Sequence, residues 1–329
     1  MIAIISLVVY GSIIHRQDLS HRSNFLTRGL SHIMTIPILE EMKRLRESGN
    51  PDDIEKYFEL ASQIFSPSDF VTSDEDDENN NDNHEGDNAM TDRKVLETFL
   101  NYELGSVDEV FDKFLTLKNA KLYEHVGVKN CVYVPGKRDD RVLLVAHADT
   151  VFAGSKGSHK IILDDEDIYR SCEENYGIGA DDRAGCAILW QLRDSGHSLL
   201  ITNEEEIGSL GAQDIQDFHK DLFWEINEHS YIIEFDRRNG RDYKFYDIPV
   251  TDEFRNFIEE NTGYKDAGTS SSTDIRYLCA RICGVNLSVG YNYEHHVEEY
   301  LVFSEWENTL NLARKLLAGE QRKFPLKAE

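Results

Sequence analysis

From residue 93 onward two spacings of apolar residues take turns along the chain. Runs with apolar residues at nearly every position ("NCVYV", "VLLVA", "HSLLIT", "SYIIEF", "VNLSVG") predict strands buried on both faces. "RDYKFYDI" predicts a further strand, and "KIILDD" with "DIYRSC" predicts a hairpin. Helical spacing appears in "VLETFLNYEL", "VDEVFDKFLTL", "RAGCAILWQLRD", "AQDIQDFHKDL", "STDIRYLCARI" and "FSEWENTLNLARKLLAG". It also appears in "VTDEFRNFIEENTG", where Gly263 supplies a stop. Strands alternating with helices predict an α/β fold, a mostly parallel central sheet with helices on both faces.

The pattern upstream is different. "IPILEEMKRLRES" sets Ile36, Leu39, Met42 and Leu45 on one helical face and stops at Gly49-Asn50-Pro51. "DDIEKYFELASQIF" is a second amphipathic run that opens on acidic residues, as a helix N-terminus favours. "SDEDDENNNDNHEGDNAMTD" holds almost no apolar residue, so nothing offsets the entropy of ordering it, and it predicts a disordered linker. The spacing of a calcium loop with its closing Glu is missing from it. The expected division is a partly helical extension over 1–72, an acidic linker over 73–92, one main domain over 93–320 and a tail over 321–329.

Composition narrows the partners. With 61 acidic and 35 basic residues the formal charge of −26 repels phosphate backbones and argues against nucleic acid. At 40% hydrophobic residues the 329-residue chain can bury a sizeable core. Five cysteines, Cys131, Cys172, Cys186, Cys279 and Cys283, are too sparse for a secreted disulfide framework and read as structural thiols. "MIAIISLVVYGSII" lacks a basic leader and is short for a helical span. A cytoplasmic protein is expected, with membrane association left open by that stretch.

Candidate chemistry gathers where the apolar strands end. "VLLVA" runs into His147 and Asp149, "SLLIT" into Asn203, Glu204, Glu205 and Glu206, "YIIEF" into Asp236, and "VNLSVG" reaches His295 and His296 after a short loop. Asp181 and Asp182 stand just before a helix in "GIGADDRAG". In open α/β sheets functional groups collect at the carboxyl ends of strands. Each group alone has a plain structural explanation, such as a solvated Glu run or an Asp pair at a helix start. Together they crowd carboxylates that would force one another to protonate unless divalent cations separate them. Mixed imidazole and carboxylate donors suit zinc, with manganese or cobalt as substitutes, and two histidines with three or four carboxylates suit a two-metal site.

"HADTV", "GADDRAG", "NEEEIGSLGA", the Asp after "IIEF" and "HHVEEY" resemble the motifs of the co-catalytic zinc exopeptidases. That clan includes the carboxypeptidase G, aminoacylase and peptidase T relatives and the zinc aminopeptidases. The resemblance covers about residues 95–319. It implies His147 and Asp236 on one metal, Glu206 and His295 on the other, and Asp181 bridging, with His296 as the fallback ligand. It further implies Asp149 orienting His147, and Glu205 as general base. Arg237, Tyr291 and the "GTSSSTD" loop over 268–274, with Thr273 and Asp274 at its end, are the candidates for substrate contact or oxyanion support. Many relatives insert a lid domain between the Asp and the final His. Here 237–294 is filled by predicted strands and helices, so a single catalytic domain without a lid is expected. The function implied is a two-metal hydrolase of peptide or amide bonds, an exopeptidase acting on a peptide. The alternatives are a deacylase of N-acyl amino acids and, from another class, a catalytically silent metal-binding module. No residue fixes the oligomeric state.

Overall fold

A computed structural model describes residues 92–327 together with Arg44, Leu45 and Lys56. The expected extension and acidic linker otherwise lie outside the described residues, as do the last two positions of the tail. Among the described residues no helix is long and apolar enough to cross a membrane.

The chain opens with helices α1 (Asp92–Leu100) and α2 (Asp108–Leu115), then strands β1 (Lys121–His125), β2 (Val128–Val134) and β3 (Leu143–His147). A hairpin follows, β4 (Ile161–Leu163) and β5 (Ile168–Ser171), then α3 (Ala180–Gln191) and β6 (Ser198–Thr202). Next come α4 (Leu210–Asp217), α5 (Lys220–Ile226), β7 (Ile232–Arg237), β8 (Asp242–Lys244) and α6 (Asp252–Thr262). The last part is β9 (Lys265–Asp266), α7 (Ile275–Leu278), β10 (Gly284–Ser288), β11 (Tyr291–Asn292), β12 (Tyr300–Val302) and α8 (Phe303–Ala318).

Eight strands form one sheet in the order β1-β2-β6-β3-β7-β10-β8-β9. The four central strands β6, β3, β7 and β10 run parallel, while β1, β2 and β8 join antiparallel at the flanks. Central strands need apolar residues on both sides, which is why their sequences read as unbroken runs. Successive side chains then go to opposite faces. Leu144, Ala146, Leu199, Ile201, Ile233, Phe235, Val285 and Leu287 join one core cluster with α1, α2, α3, α6 and α8. Leu143, Val145, Leu200 and Ile232 join the other with α4, α5 and α7. The result is a mixed α/β sandwich of helices, sheet and helices.

A second sheet, β11-β12-β5-β4, is antiparallel throughout and contains the expected hairpin. The stretch 237–294 adds β8, β9 and β10 to the main sheet itself. Two predicted helices differ. "AQDIQDFHKDL" is broken at Phe218 and His219 into α4 and α5, because the backbone leaves the helical range at His219 (φ −108°, ψ 55°). "STDIRYLCARI" shrinks to the single turn of α7, since Cys279 is already extended (φ −82°, ψ 103°). Cys131, Cys186 and Cys283 are buried, Cys279 half-buried and Cys172 exposed, all as free thiols.

Candidate metal centre

Parallel strands end together, so β3, β6 and β7 deliver their terminal side chains to one rim. The Nε2 of His147, the last residue of β3, lies 3.1 Å from Asp181 Oδ1 and 3.4 Å from Asp236 Oδ1. On the other side of Asp181, His295 Nε2 lies 3.2 Å from Asp181 Oδ2 and 2.8 Å from Glu206 Oε2. Two triads result, His147–Asp181–Asp236 and Asp181–Glu206–His295, each with donor atoms within 4.8 Å of one another. Asp181 belongs to both. His295 is the one of the histidine pair that faces this cluster, and it adopts a left-handed backbone (φ 66°) to do so.

Local structure explains the aim of each group. His147 Nδ1 lies 3.1 Å from the Asp149 carbonyl and 3.4 Å from its carboxylate, which orients the ring so that Nε2 faces the Asp181 and Asp236 carboxylates. The Asp149 carboxylate also accepts the backbone N–H groups of Glu205 and Glu206, both at 3.2 Å, and so ties two strand-end loops together. The Asp181–Asp182 peptide bond is cis. Asp182 turns away to accept from the N–H of His147 (3.2 Å) and of Gly185 (2.9 Å). Glu299 is buried and accepts from the N–H of Gly179 (2.8 Å) and Asp181 (3.0 Å), fixing the loop that carries Asp181.

Asp236 has its own clamp. The pairing of β10 with β7 slips at this point, and the Asn286 side chain fills the gap. Its Oδ1 accepts from the Asp236 N–H at 2.9 Å, and its Nδ2 donates to the Asp236 carbonyl at 2.8 Å. Thr273 donates to Asp236 Oδ2 (3.0 Å) and Tyr291 to Oδ1 (3.1 Å).

Electrostatics follow from packing so many acids together. Burial, then repulsion by Asp236, Asp274 and Glu206, holds the Glu205 carboxyl well above its usual range. Burial and the Asp181 charge push Glu206 up to about 7. Burial opposes charge on His295, but Glu206 and Asp181 outweigh it and lift the imidazole to about 12. Asp181 is held low despite burial, by hydrogen bonds from both histidines. Glu206 Oε1 is buried with no hydrogen-bond partner. The donor set therefore fits divalent cations: two imidazoles, three carboxylates with one shared between triads, an unsatisfied buried oxygen and a surplus of negative charge.

The remaining expected residues fall elsewhere. Arg237 is bound to Asp242 at 2.8 Å, so its guanidinium is engaged beside the rim. Thr273 and Asp274 are buried, Thr273 against Asp236 and Asp274 hydrogen-bonded by Thr202. Glu234 and Asn286 were not singled out; the signal for both was a polar residue inside an otherwise apolar strand, since each is fully buried.

No family model matches the chain, and no curated protein matches it by sequence. Solved structures do show likeness. Aminopeptidase PepT from Bacillus cereus is 14% identical, with 70% of this chain and 98% of that one covered at a TM-score of 0.49. A tripeptidase from Staphylococcus aureus is 13% identical over 70% and 98% at 0.48. An aminopeptidase from the archaeon Desulfurococcus kamchatkensis is 12% identical over 70% and 96% at 0.49.

Proposed function

We propose that this chain is a metal-dependent hydrolase of peptide bonds, an exopeptidase that recognises a free amino terminus. The observation that carries the reading is the pair of donor triads sharing Asp181 at one rim of the sheet. His147 and Asp236 would hold one ion, Glu206 and His295 the other, and Asp181 both. Bound there, divalent ions such as zinc supply Lewis acidity to the amide carbonyl, acidify water and offset the surrounding carboxylates.

The chain's own residues do the rest. Asp149 orients the His147 ring and holds the backbone of Glu205 and Glu206 in register. Glu205 takes a proton from the attacking water and passes it to the leaving amine as the C–N bond breaks. Acidic surroundings favour an ammonium group over a carboxylate as the recognised substrate end. The cation beside the rim, Arg237, is paired with Asp242, and Lys129 in the adjoining cavity is paired with Asp108 at 2.7 Å. A deacylase of N-acyl amino acids needs such a cation available.

Metal analysis of the wild type and Glu205→Gln, with matched aminoacyl and N-acylamino substrates, tests the reading. Both proteins are expected to hold two ions per chain, with turnover of aminoacyl substrates lowered about 10²–10⁴-fold in the variant. Undiminished turnover in Glu205→Gln removes Glu205 as the base. A folded chain that takes up no divalent metal removes the proposal.

A further inference from the structure

Asp181 is shared by both triads, so the loop that carries it must keep register with two sets of partners. The first set, His147 and Asp236, comes from strands β3 and β7. The second set, Glu206 and His295, comes from the segments after β6 and β11. Two buried carboxylates beside Asp181, Asp182 and Glu299, belong to neither triad. Asp182 is tied to the first set. Its oxygens accept the N–H of His147 at 3.2 Å and the N–H of Gly185 at 2.9 Å. A Cβ at Gly185 would come 2.0 Å from the Phe235 carbonyl, so the start of α3 lies directly on β7 one residue before Asp236. The Cys186 thiol adds a hydrogen bond to the His147 carbonyl at 3.2 Å.

Glu299 is tied to the second set. Its carboxylate accepts the N–H of Gly179 at 2.8 Å and of Asp181 at 3.0 Å. Its own N–H donates to the His296 carbonyl at 3.0 Å, and the His296 N–H donates to the Tyr293 carbonyl at 3.2 Å. The backbone of Glu299 is thereby wound into the turn that presents His295. A Cβ at Gly177 would come 2.5 Å from the His296 carbonyl and 2.7 Å from Glu299 Oε2, so the Asp181 loop lies directly on that turn.

We infer that Asp182 and Glu299 are a matched pair of positioning residues that divide the centre between them: Asp182 sets Asp181 against the first triad, and Glu299 sets it against the second. The inference rests on the two-metal reading and deepens it. Both side chains act through main-chain N–H groups rather than as donors to an ion. Small errors matter here, because a metal site holds its ligand distances to within about 0.2 Å. Residues that orient ligands in this way typically govern metal affinity by about 10–100-fold. An amide in place of either carboxylate keeps the size but leaves one acceptor oxygen, and turns an N–H donor toward a backbone N–H. One of the two anchoring bonds is lost in each case.

The test measures zinc affinity by calorimetry on the full chain in two single-ion backgrounds. His295→Ala retains the first triad, and His147→Ala retains the second. In the His147→Ala background, Glu299→Gln is expected to weaken zinc binding by about 10–100-fold and Asp182→Asn by less than about threefold. In the His295→Ala background the ranking is expected to reverse. A residue that merely supports the fold would move both ions alike. Equal losses, no losses or the opposite ranking overturn the inference and leave the two-metal reading intact. A folded wild-type chain that takes up no zinc overturns both. Should Glu299→Gln fail to fold, Glu299→Asp, which withdraws the carboxylate by one methylene, carries the same comparison.

Discussion

At the scale of single residues, Asp181 stands apart because it is the carboxylate common to both triads. The other four donors each serve one triad. Removing a shared donor and removing an outer one therefore have different stoichiometries. His295→Ala is expected to leave one ion per chain, held by His147, Asp181 and Asp236. Asp181→Ala is expected to leave none at micromolar metal, because each remaining pair offers only two donors. Atomic absorption on dialysed protein distinguishes the two. Equal loss in both variants would mean that the triads do not act as separate shells. Glu299, which accepts the Asp181 N–H at 3.0 Å, belongs to the same logic, since it holds the backbone from which the shared carboxylate projects.

At the scale of elements, the joint between α5 and β6 carries a titratable lock. His229, just past α5, donates from Nδ1 to the carbonyls of Glu225 (3.0 Å) and Ile226 (2.9 Å). Its Nε2 accepts from Ser198 Oγ at 2.8 Å, at the first residue of β6. Burial, with Arg141 nearby, lowers the imidazole to about 4. The folded state thus holds it neutral, while the unfolded chain takes up a proton below about pH 6.5. The stability tied to this group is complete above about pH 6.5 and is lost as pH falls toward about 4. That span, at about 1.4 kcal/mol per pH unit, amounts to about 3 kcal/mol. Urea unfolding at pH 7, 5.5 and 4.5 is expected to show this fall in the wild type and a shallower one in His229→Gln. Parallel slopes would rule His229 out as its source.

The same scale shows how far the sequence could be read. Strands β3, β6, β7 and β10 were legible because burial on both faces leaves an apolar run, and their ends pointed to His147, Glu206 and Asp236. The edge strand β1, "KLYEH", escaped because its residues are exposed or half-buried and carry no strong alternation. The break between α4 and α5 escaped because "AQDIQDFHKDL" keeps helical spacing through Phe218 and His219, where the backbone does not. The depth of Thr273 and Asp274 was hidden for another reason. A loop rich in Gly, Ser and Thr reads as surface, and only tertiary hydrogen bonds, Thr273 to Asp236 and Thr202 to Asp274, draw its end inward.

At the scale of the whole molecule, the chain carries a formal charge of −26 and places many of its acids under one rim. Asp182, Glu234, Asp274 and Glu299 are all buried close to the triads. Without counter-ions these groups stay unionised or repel, and either state weakens the native fold. Divalent ions that bind the folded form alone stabilise it by mass action, about 4 kcal/mol per site at a thousandfold excess over Kd. Chelation with EDTA is expected to lower the melting temperature by on the order of 10 °C, and added zinc to restore it. A melting curve indifferent to both would mean that the acids are balanced by protons instead.

The donors are also spread along the chain, from His147 to His295. A ribosome making this polypeptide emits the first triad's members by residue 236, but the second triad waits for residue 295. The helix that follows, α8, then ties back to the Asp181 helix through the Trp306 indole N–H on the Ala184 carbonyl at 2.9 Å. The braces of the first triad, Asn286 and Tyr291 on Asp236 and Glu299 on the Asp181 loop, emerge in the same late stretch as His295, so neither nest of donors is finished until that stretch has been made.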